Sequence, residues 1–435
     1  MAFSYATYAN ERGVRFFLTS YTDVMGVQRS KLVPAAAMDR IAAAGASFAG
    51  FATWLDMTPA DPDLFAMPDP DSLCQLPWKP EVAWVAADPW MHGRPVEHAP
   101  RVVLKRQLDR AAALGLRPKT GVECEFFVLE PGAGAIADGR DHQGKPCYDQ
   151  QALMRMYDLI AQISTCMTTL GWDPYQSDHE DANGQFEMNW TYADALVTAD
   201  RHSFFKFMVR SLAEQAGYRA TFMPKPFADK SGNGCHIHVS LWTTDGATNR
   251  FVDPQGELGL SPLAYHAIGG LLAHAEALCA LTNPTVNSFK RINGAPTTSG
   301  ATWSPNAVSY TGNNRTHMIR IPEGDRFELR LADGAANPYL LQAGVLAAVL
   351  DGIDQLLPAG PRHDNNMYTD PLGEEACRRL PLNLLDALRA FKSSELFASA
   401  FGAEFVAAYM RLKQREWNSA TAYISQWELA NTLDC

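Results

Sequence analysis

Three short segments of the chain place ionisable residues two apart: Glu123 and Glu125, His236 and His238, and the trio Arg326, Glu328 and Arg330. Side chains alternate along a strand, so each set shares one face. Taken singly, such a face reads first as the solvated side of a half-buried strand. The neighbours argue otherwise. In the run from Gly121 to Leu129 (GVECEFFVL) both faces are flanked by apolar residues, and burying two like charges together is costly unless a cation compensates. Glu328 between two arginines mixes both signs on one face, which suits phosphates and carboxylates. A fourth group, Asp178 to Glu187 (DHEDANGQFE), reads as a loop entering a strand, with Glu180 and Glu187 reaching inward. Oxygen-rich clusters with one or two imidazoles favour Mg2+ or Mn2+ over structural zinc. Cys124 and Cys235 adjoin these residues but alternate to the other face, and read as core thiols.

These residues need elements to hold them. Residues 14–34 read as strand, turn, strand, followed by a short helix over 35–44, a Pro- and Asp-rich stretch of loop and short strands to residue 80, and a strand over 82–86. Pro89, Pro95 and Pro100 then punctuate the chain, and a domain boundary is placed near residue 100, giving domains 1–100 and 101–435. Val102 to Leu114 is an amphipathic helix ended by Gly115. Beyond it, strand-like segments (121–129, 184–190, 235–242, 317–321, 326–331) are interspersed with helical ones (151–170, 196–217, 262–281, 337–357, 382–393, 402–431). That pattern predicts an α+β or mixed α/β fold.

With 435 residues, 47% hydrophobic and 20% charged, the chain is expected to be globular. A net charge of −11 argues against a nucleic-acid partner, because displacing counterions from phosphates needs a basic surface. Any anionic substrate must find local arginines. The eight cysteines contain no CxxC pair and are expected to be reduced thiols. The N-terminus lacks the pattern of a signal peptide, and no apolar run reaches the ~18 residues a membrane span requires, so a soluble, cytoplasmic protein is expected.

Together and in this order, the motifs resemble the glutamine synthetase family over nearly the whole chain. Its Glu-x-Glu strand appears as Glu123 and Glu125, its Gly-Gln-x-Glu as Gly184 to Glu187, and its Lys-Pro segment as Met223 to Pro226. Its Gly-x-His-x-His-x-Ser appears as Gly234 to Ser240. Asn283 to Arg291, Asn314 and Arg315 with Arg320, and Arg326 to Arg330 followed by Asn337 to Tyr339 complete it. The resemblance implies a small N-terminal β-grasp domain, a catalytic α+β domain around a curved antiparallel sheet, and a homo-oligomer of two stacked hexameric rings with active sites between neighbouring subunits. It also implies ATP as co-substrate and two catalytic Mg2+ or Mn2+ ions. One ion would be held by Glu125, Glu180 and Glu187 and would organise glutamate and the amine. The other, held by Glu123, His236 and Glu328, would bridge the nucleotide phosphates. His238 and Ser240 fall where the family contacts ATP. Glu125, Gly232, His236, Arg291 and Arg330 fall at the glutamate site, and Arg315 and Arg326, with Arg320 close by, at the transferred phosphoryl group. The implied reaction is phosphoryl transfer to the γ-carboxylate of L-glutamate, then attack by a neutral amine.

The chain departs from the family where ammonium is captured. The usual Asp-Gly-Ser-Ser is replaced by a stretch with Ala49 at the carboxylate position and Phe48 and Phe51 beside it; the flap glutamate has no clear equivalent near Asn293 and Gly294; and Ser231 stands for a usual Asn. These departures resemble the γ-glutamylmethylamide synthetase and type III glutamine synthetase-like branch, and imply methylamine or ethylamine as acceptor. Such an amine, with a pKa of roughly 10.4, arrives protonated; Asp56, Asp61 and Asp63 are nearby candidate bases. The alternatives are an ammonia-using glutamine synthetase and, in another class, a non-catalytic structural relative or a metal-dependent hydrolase. Residues suited to every metal-ligand position and the phosphate arginines argue against the latter two. Tyr368 falls near a position adenylylated in some relatives, but reads first as a surface loop tyrosine.

Overall fold

The computed structural model describes residues 3–132, 134–297, 299–373 and 375–435. In its N-terminal part, β1 (Phe16–Thr22) and β2 (Gln28–Pro34) form an antiparallel hairpin. Asp23 shapes the turn by accepting hydrogen bonds from the Met25 and Val27 amides and from Arg29 Nε at 2.7 Å, while Gly26 takes the left-handed backbone (φ 81°) the reversal needs. The predicted helix follows over Ala35–Ala44, with Met38 buried beneath it. Strands β3 (Ala46–Phe48), β4 (Leu64–Pro68), β5 (Cys74–Gln75), β6 (Val82–Met91) and β7 (Arg94–Pro95) complete a seven-stranded sheet of order β2-β1-β6-β4-β3, with β5 and β7 also pairing β6. At its centre β1 and β6 run parallel.

The remaining strands form two sheets. One has six strands in the order β12-β8-β14-β17-β16-β15: β8 (Leu116–Cys124), β12 (Ala193–Asp194), β14 (Cys235–Thr243), β15 (Tyr310–Thr311), β16 (Ile319–Glu323) and β17 (Arg326–Leu329). The other has four, β10-β11-β9-β13: β9 (Phe126–Leu129), β10 (Pro174–His179), β11 (Gln185–Trp190) and β13 (Arg219–Thr221). The single strand expected over 121–129 is therefore two. It breaks at Glu125, whose amide donates to Gly234 O (3.1 Å), after which the chain leaves β14 to pair with β11. Similarly, the expected loop at Asp178 and His179 is the end of β10, hairpin partner of β11.

Helices cover these sheets. The long helix expected over 402–431 is two, Ala403–Ala422 and Gln426–Thr432, the second begun by a Ser425–Glu428 capping box, and a separate short helix, Glu395–Phe401, precedes them. Helices Pro262–Thr282 and Pro338–Asp354 pack so closely that a Cβ on Gly270 would lie 2.0 Å from Ala348 O. Helix Pro100–Ala113 carries Arg101, buried among acids: its guanidinium donates to Asp200 twice (both 2.9 Å), to Asp88 (3.0 Å) and to Asp69 (2.9 Å). Tyr339 OH donates to the same Asp200 at 2.8 Å, so three helices far apart in sequence meet on one carboxylate. Among the described residues, no helix is long and apolar enough to cross a membrane.

Candidate functional site

Strand register assembles the ionisable pairs. Across β8 and β14, Glu123 faces His236; across β14 and β17, His238 faces Glu328; across β17 and β16, Glu328 faces Arg320. The hairpin of β10 and β11 sets Glu187 opposite Asp178. The resulting face opens into a cavity of about 560 Å3 lined by Glu123, Glu125, Glu180, Glu187, His236, Arg315, Arg320, Glu328 and Arg330, among others. A second cavity of about 320 Å3 adjoins it at Glu123 and holds His238, Ser240 and Arg326, with Tyr192 and Trp242 stacked on its wall.

Within the cavities the signs are segregated. Glu123 accepts from His238 Nε2 (3.0 Å) and lies 3.4 Å from His236 Nδ1; burial opposes its ionisation, but these imidazoles hold its carboxyl well below the usual range. Glu328 accepts from Arg330 Nη1 (2.5 Å) and Arg320 Nη1 (2.7 Å), and despite its burial the Arg330 charge pulls its pKa down to about 2. The other side is crowded with like charge. Burial and the charge of Glu125 push Glu180 up to about 8, while burial and the charges of Glu123, Glu180 and Glu125 raise Glu187 well above the carboxylate range.

Such a cluster fits a divalent cation. Oxygen or nitrogen atoms of Glu123, Glu187 and His236 lie within 4.8 Å of one another, and so do those of Glu123, His238 and Glu328. His236 Nε2 is buried without a hydrogen-bond partner. A Cβ placed on Gly234 would lie 2.8 Å from that atom and 3.0 Å from both Arg291 Nη2 and Glu125 Oε1, so only glycine leaves this space open. Raised carboxyl pKa values mean that the folded state holds more protons than the unfolded one between the ordinary carboxylate range and about pH 8, so stability falls as pH rises through that window. Glu328, titrating near 2, contributes constantly across it. A bound divalent ion removes the repulsion. The melting-temperature gain from Mn2+ over chelator is therefore expected to widen as pH is raised from about 5.5 to about 8.5. Scanning fluorimetry measures it, and a flat or narrowing gap would count against cation binding by this cluster.

The other expected site residues are distributed as follows. Arg291 is buried and donates to Leu331 O at 3.0 Å, and Gly232 packs against it so tightly that a Cβ would meet Arg291 Cγ at 2.9 Å and Pro224 O at 2.4 Å. Arg315 and Arg326 fall in the two adjoining cavities rather than one. Ser240 Oγ accepts from Trp242 Nε1 at 2.9 Å. Phe48, Ala49 and Phe51 line neither cavity of this chain: Phe48 packs edge-on against Tyr21 (5.0 Å) and Phe51 is 51% exposed on the turn Gly50–Ala52. Asp56 pairs with Arg411, Asp61 accepts from the Thr58 amide (2.6 Å), and Asp63 accepts from Ser47 (2.9 Å). Tyr368 is half-buried, which raises its pKa, and lies near Arg330 and Arg291.

Sequence reasoning missed several neighbours. Gln185 Nε2 ties Glu125 (3.0 Å) to Gly232 O (3.1 Å) and Asn233 (2.9 Å); its place two before Glu187, on the same strand face, was the available signal. Asp181 accepts from both Ser231 and Ser299, joining the loop before β14 to residues on the far rim. Lys145, Tyr148 and Trp303 also line the larger cavity and carried no spacing signal.

Comparison with known proteins adds independent findings. The sequence profile of the glutamine synthetase catalytic domain matches residues 97–432. A glutamine synthetase of Rhizobium leguminosarum bv. phaseoli is 58% identical over 434 residues, covering 100% of both chains. A glutamate–methylamine ligase of Methyloversatilis universalis is 42% identical over 436 residues, covering 98% of each. Among solved structures, a GmaS/ADP complex matches with a TM-score of 0.96 at 58% identity, over 100% of both chains.

Proposed function

We propose that this chain, which belongs to the glutamine synthetase family and so is an ATP-dependent carbon–nitrogen ligase of glutamate, takes methylamine or ethylamine as its acceptor. The observation that carries the choice of amine is Ala49, flanked by Phe48 and Phe51, at the position where an ammonium-binding carboxylate is expected. An apolar wall offers a methyl group dispersion contacts and offers ammonium nothing to replace its hydration. The likeness to a glutamate–methylamine ligase and to the GmaS/ADP complex supports the same reading.

In this reading Arg291 and Arg330 hold the glutamate carboxylates, and Gly232 and Gly234 keep the floor open. Arg315, Arg320 and Arg326 spread positive charge around the transferred phosphoryl group, with no proton to move, which is the main demand of phosphoryl transfer. The smaller cavity, with His238, Ser240 and the Tyr192–Trp242 wall, takes the nucleotide. Glu123, Glu125, Glu180, Glu187, His236 and Glu328 would hold Mg2+ or Mn2+, which when bound neutralises phosphate charge as a Lewis acid. The γ-carboxylate oxygen attacks the terminal phosphorus as ADP leaves. The neutral amine then attacks the acyl carbon, the acyl–oxygen bond breaks, and phosphate leaves as the hydrogen phosphate, carrying the proton the nitrogen gives up. Because residues 48–51 line neither of the two site cavities of their own chain, a neighbouring subunit in a ring is proposed to bring them over the glutamate site. Exposed Tyr423, Ile424, Trp427 and Leu433 at the C-terminus form a further apolar surface for such assembly.

Steady-state kinetics with ATP, glutamate and either amine test the proposal. Methylamine is expected to exceed ammonia in kcat/KM by ~10–200-fold, the range one methyl group in an apolar pocket supplies. A preference for ammonia would overturn it. Ala49→Asp is expected to move the ratio toward ammonium, and an unchanged ratio would remove residue 49 from the amine site.

A further inference from the structure

Behind the carboxylates, on the opposite face of the same sheet, lie three soft ligands that the ligase reaction does not use. Cys124 and Cys235 are direct cross-strand neighbours on β8 and β14, and both are fully buried. Glu125 N reaches Gly234 O whereas Cys235 N turns away to Ala332 O, so the two cysteines form a non-hydrogen-bonded pair, the kind that brings side chains closest. Helix Ala195–Gln215 packs over this face and delivers His202, also fully buried. Donor atoms of the three residues lie within 4.8 Å of one another.

The geometry points to a three-coordinate site for a thiophilic monovalent ion, Cu(I), held by Cys124, Cys235 and His202. The distance from His202 Nε2 to Cys235 Sγ is 3.8 Å. With metal–sulfur and metal–nitrogen bonds of about 2.3 and 2.0 Å, trigonal ligation places S and N about 3.7 Å apart and tetrahedral ligation about 3.5 Å apart. Among the described residues no fourth His, Cys, Asp or Glu joins the group, and Zn2+ in a closed site requires four ligands. Thiolate and imidazole are the donors that suit copper, whereas the oxygen-rich face in front suits Mg2+ or Mn2+. Charge also balances. Two thiolates and a monovalent ion leave one negative charge, and Lys206, one helical turn beyond His202, brings a positive charge that acts on Cys124 while donating to Gly334 O at 2.7 Å. His202 Nδ1 is itself buried without a hydrogen-bond partner, so no such bond fixes the ring's orientation. Such an ion would tie β8, β14 and the helix together directly behind Glu123, Glu125 and His236.

The burial requires loading during folding, so the full chain is expressed in copper-supplemented cells and purified without oxygen. About one copper per chain, resistant to a Cu(I) chelator while the protein is folded, with sulfur ligands in its X-ray absorption spectrum, is expected. Cys235→Ala, Cys124→Ala and His202→Phe should each lower the copper content several-fold. If a variant does not fold, the wild-type spectrum alone decides: copper bound through nitrogen and oxygen only overturns the proposal. So does wild-type enzyme without copper, stoichiometric zinc on these residues, or a Cys124–Cys235 disulfide found by thiol counting.

Discussion

Glu187→Gln is expected to reduce kcat by more than ~100-fold and, in the same protein, to raise the melting temperature measured in chelator. Loss of a partner that merely orients a metal ligand costs ~10–100-fold, and Glu187 is proposed above as a ligand itself. The change keeps shape and removes charge. Burial first, and then the charges of Glu123, Glu180 and Glu125, hold the Glu187 pKa well above the ordinary range. With the charge gone, repulsion falls and the cation-free chain gains stability, while the means of holding a cation is lost. The paired measurement is ADP release with both substrates present and thermal melting with and without Mn2+. A variant that keeps its activity, or whose chelated form melts markedly lower, would contradict this account of the cluster.

The second large effect lies away from the chemistry. Arg101→Met is expected to cost about 3–5 kcal/mol of stability, the usual result of leaving buried charges without their partner. Asp200 would lose its cation outright and leave the Tyr339 hydroxyl facing an uncompensated carboxylate, while Asp88 and Asp69 would keep only Lys105. Arg101→Lys would keep the charge but lose the fork that makes two bonds to Asp200, and should recover only part of the loss. Urea unfolding of all three proteins measures the series. A loss under about 1 kcal/mol, the size expected of an exposed pair, would show that water reaches this cluster.

Sequence made the candidate site legible wherever chemistry follows the period of a strand. Glu123 with Glu125, His236 with His238, and Glu328 with its arginines were recognisable because spacing of two fixes a common face. Which residue faces which was not, because register is a contact between distant segments: nothing near His238 announces Glu328 as its partner. The break at Glu125 is invisible for the same reason, since apart from its two glutamates Gly121 to Leu129 carries no turn residue inside the run and its division depends on β11 and β14. Arg101 carries no sequence signal of its role, its carboxylates lying at positions 69, 88 and 200. At the C-terminus, the helical pattern ran on past Ala422 because Tyr423 and Ile424 are apolar, and the stop depends on the Ser425 cap.

The division of one strand at Glu125 has a mechanical meaning. Glu123 belongs to the six-stranded sheet, and Glu125 stands at the step into the four-stranded one, yet both line the same cavity only two peptide units apart. Sliding one sheet against the other would change the gap between the two carboxylates with almost no slack in the backbone to absorb it. The chain has in effect built a calliper whose jaws are the two sheets. Anything that shears them, from a distant helix to a neighbouring molecule, would be read at the reacting centre as a change in spacing.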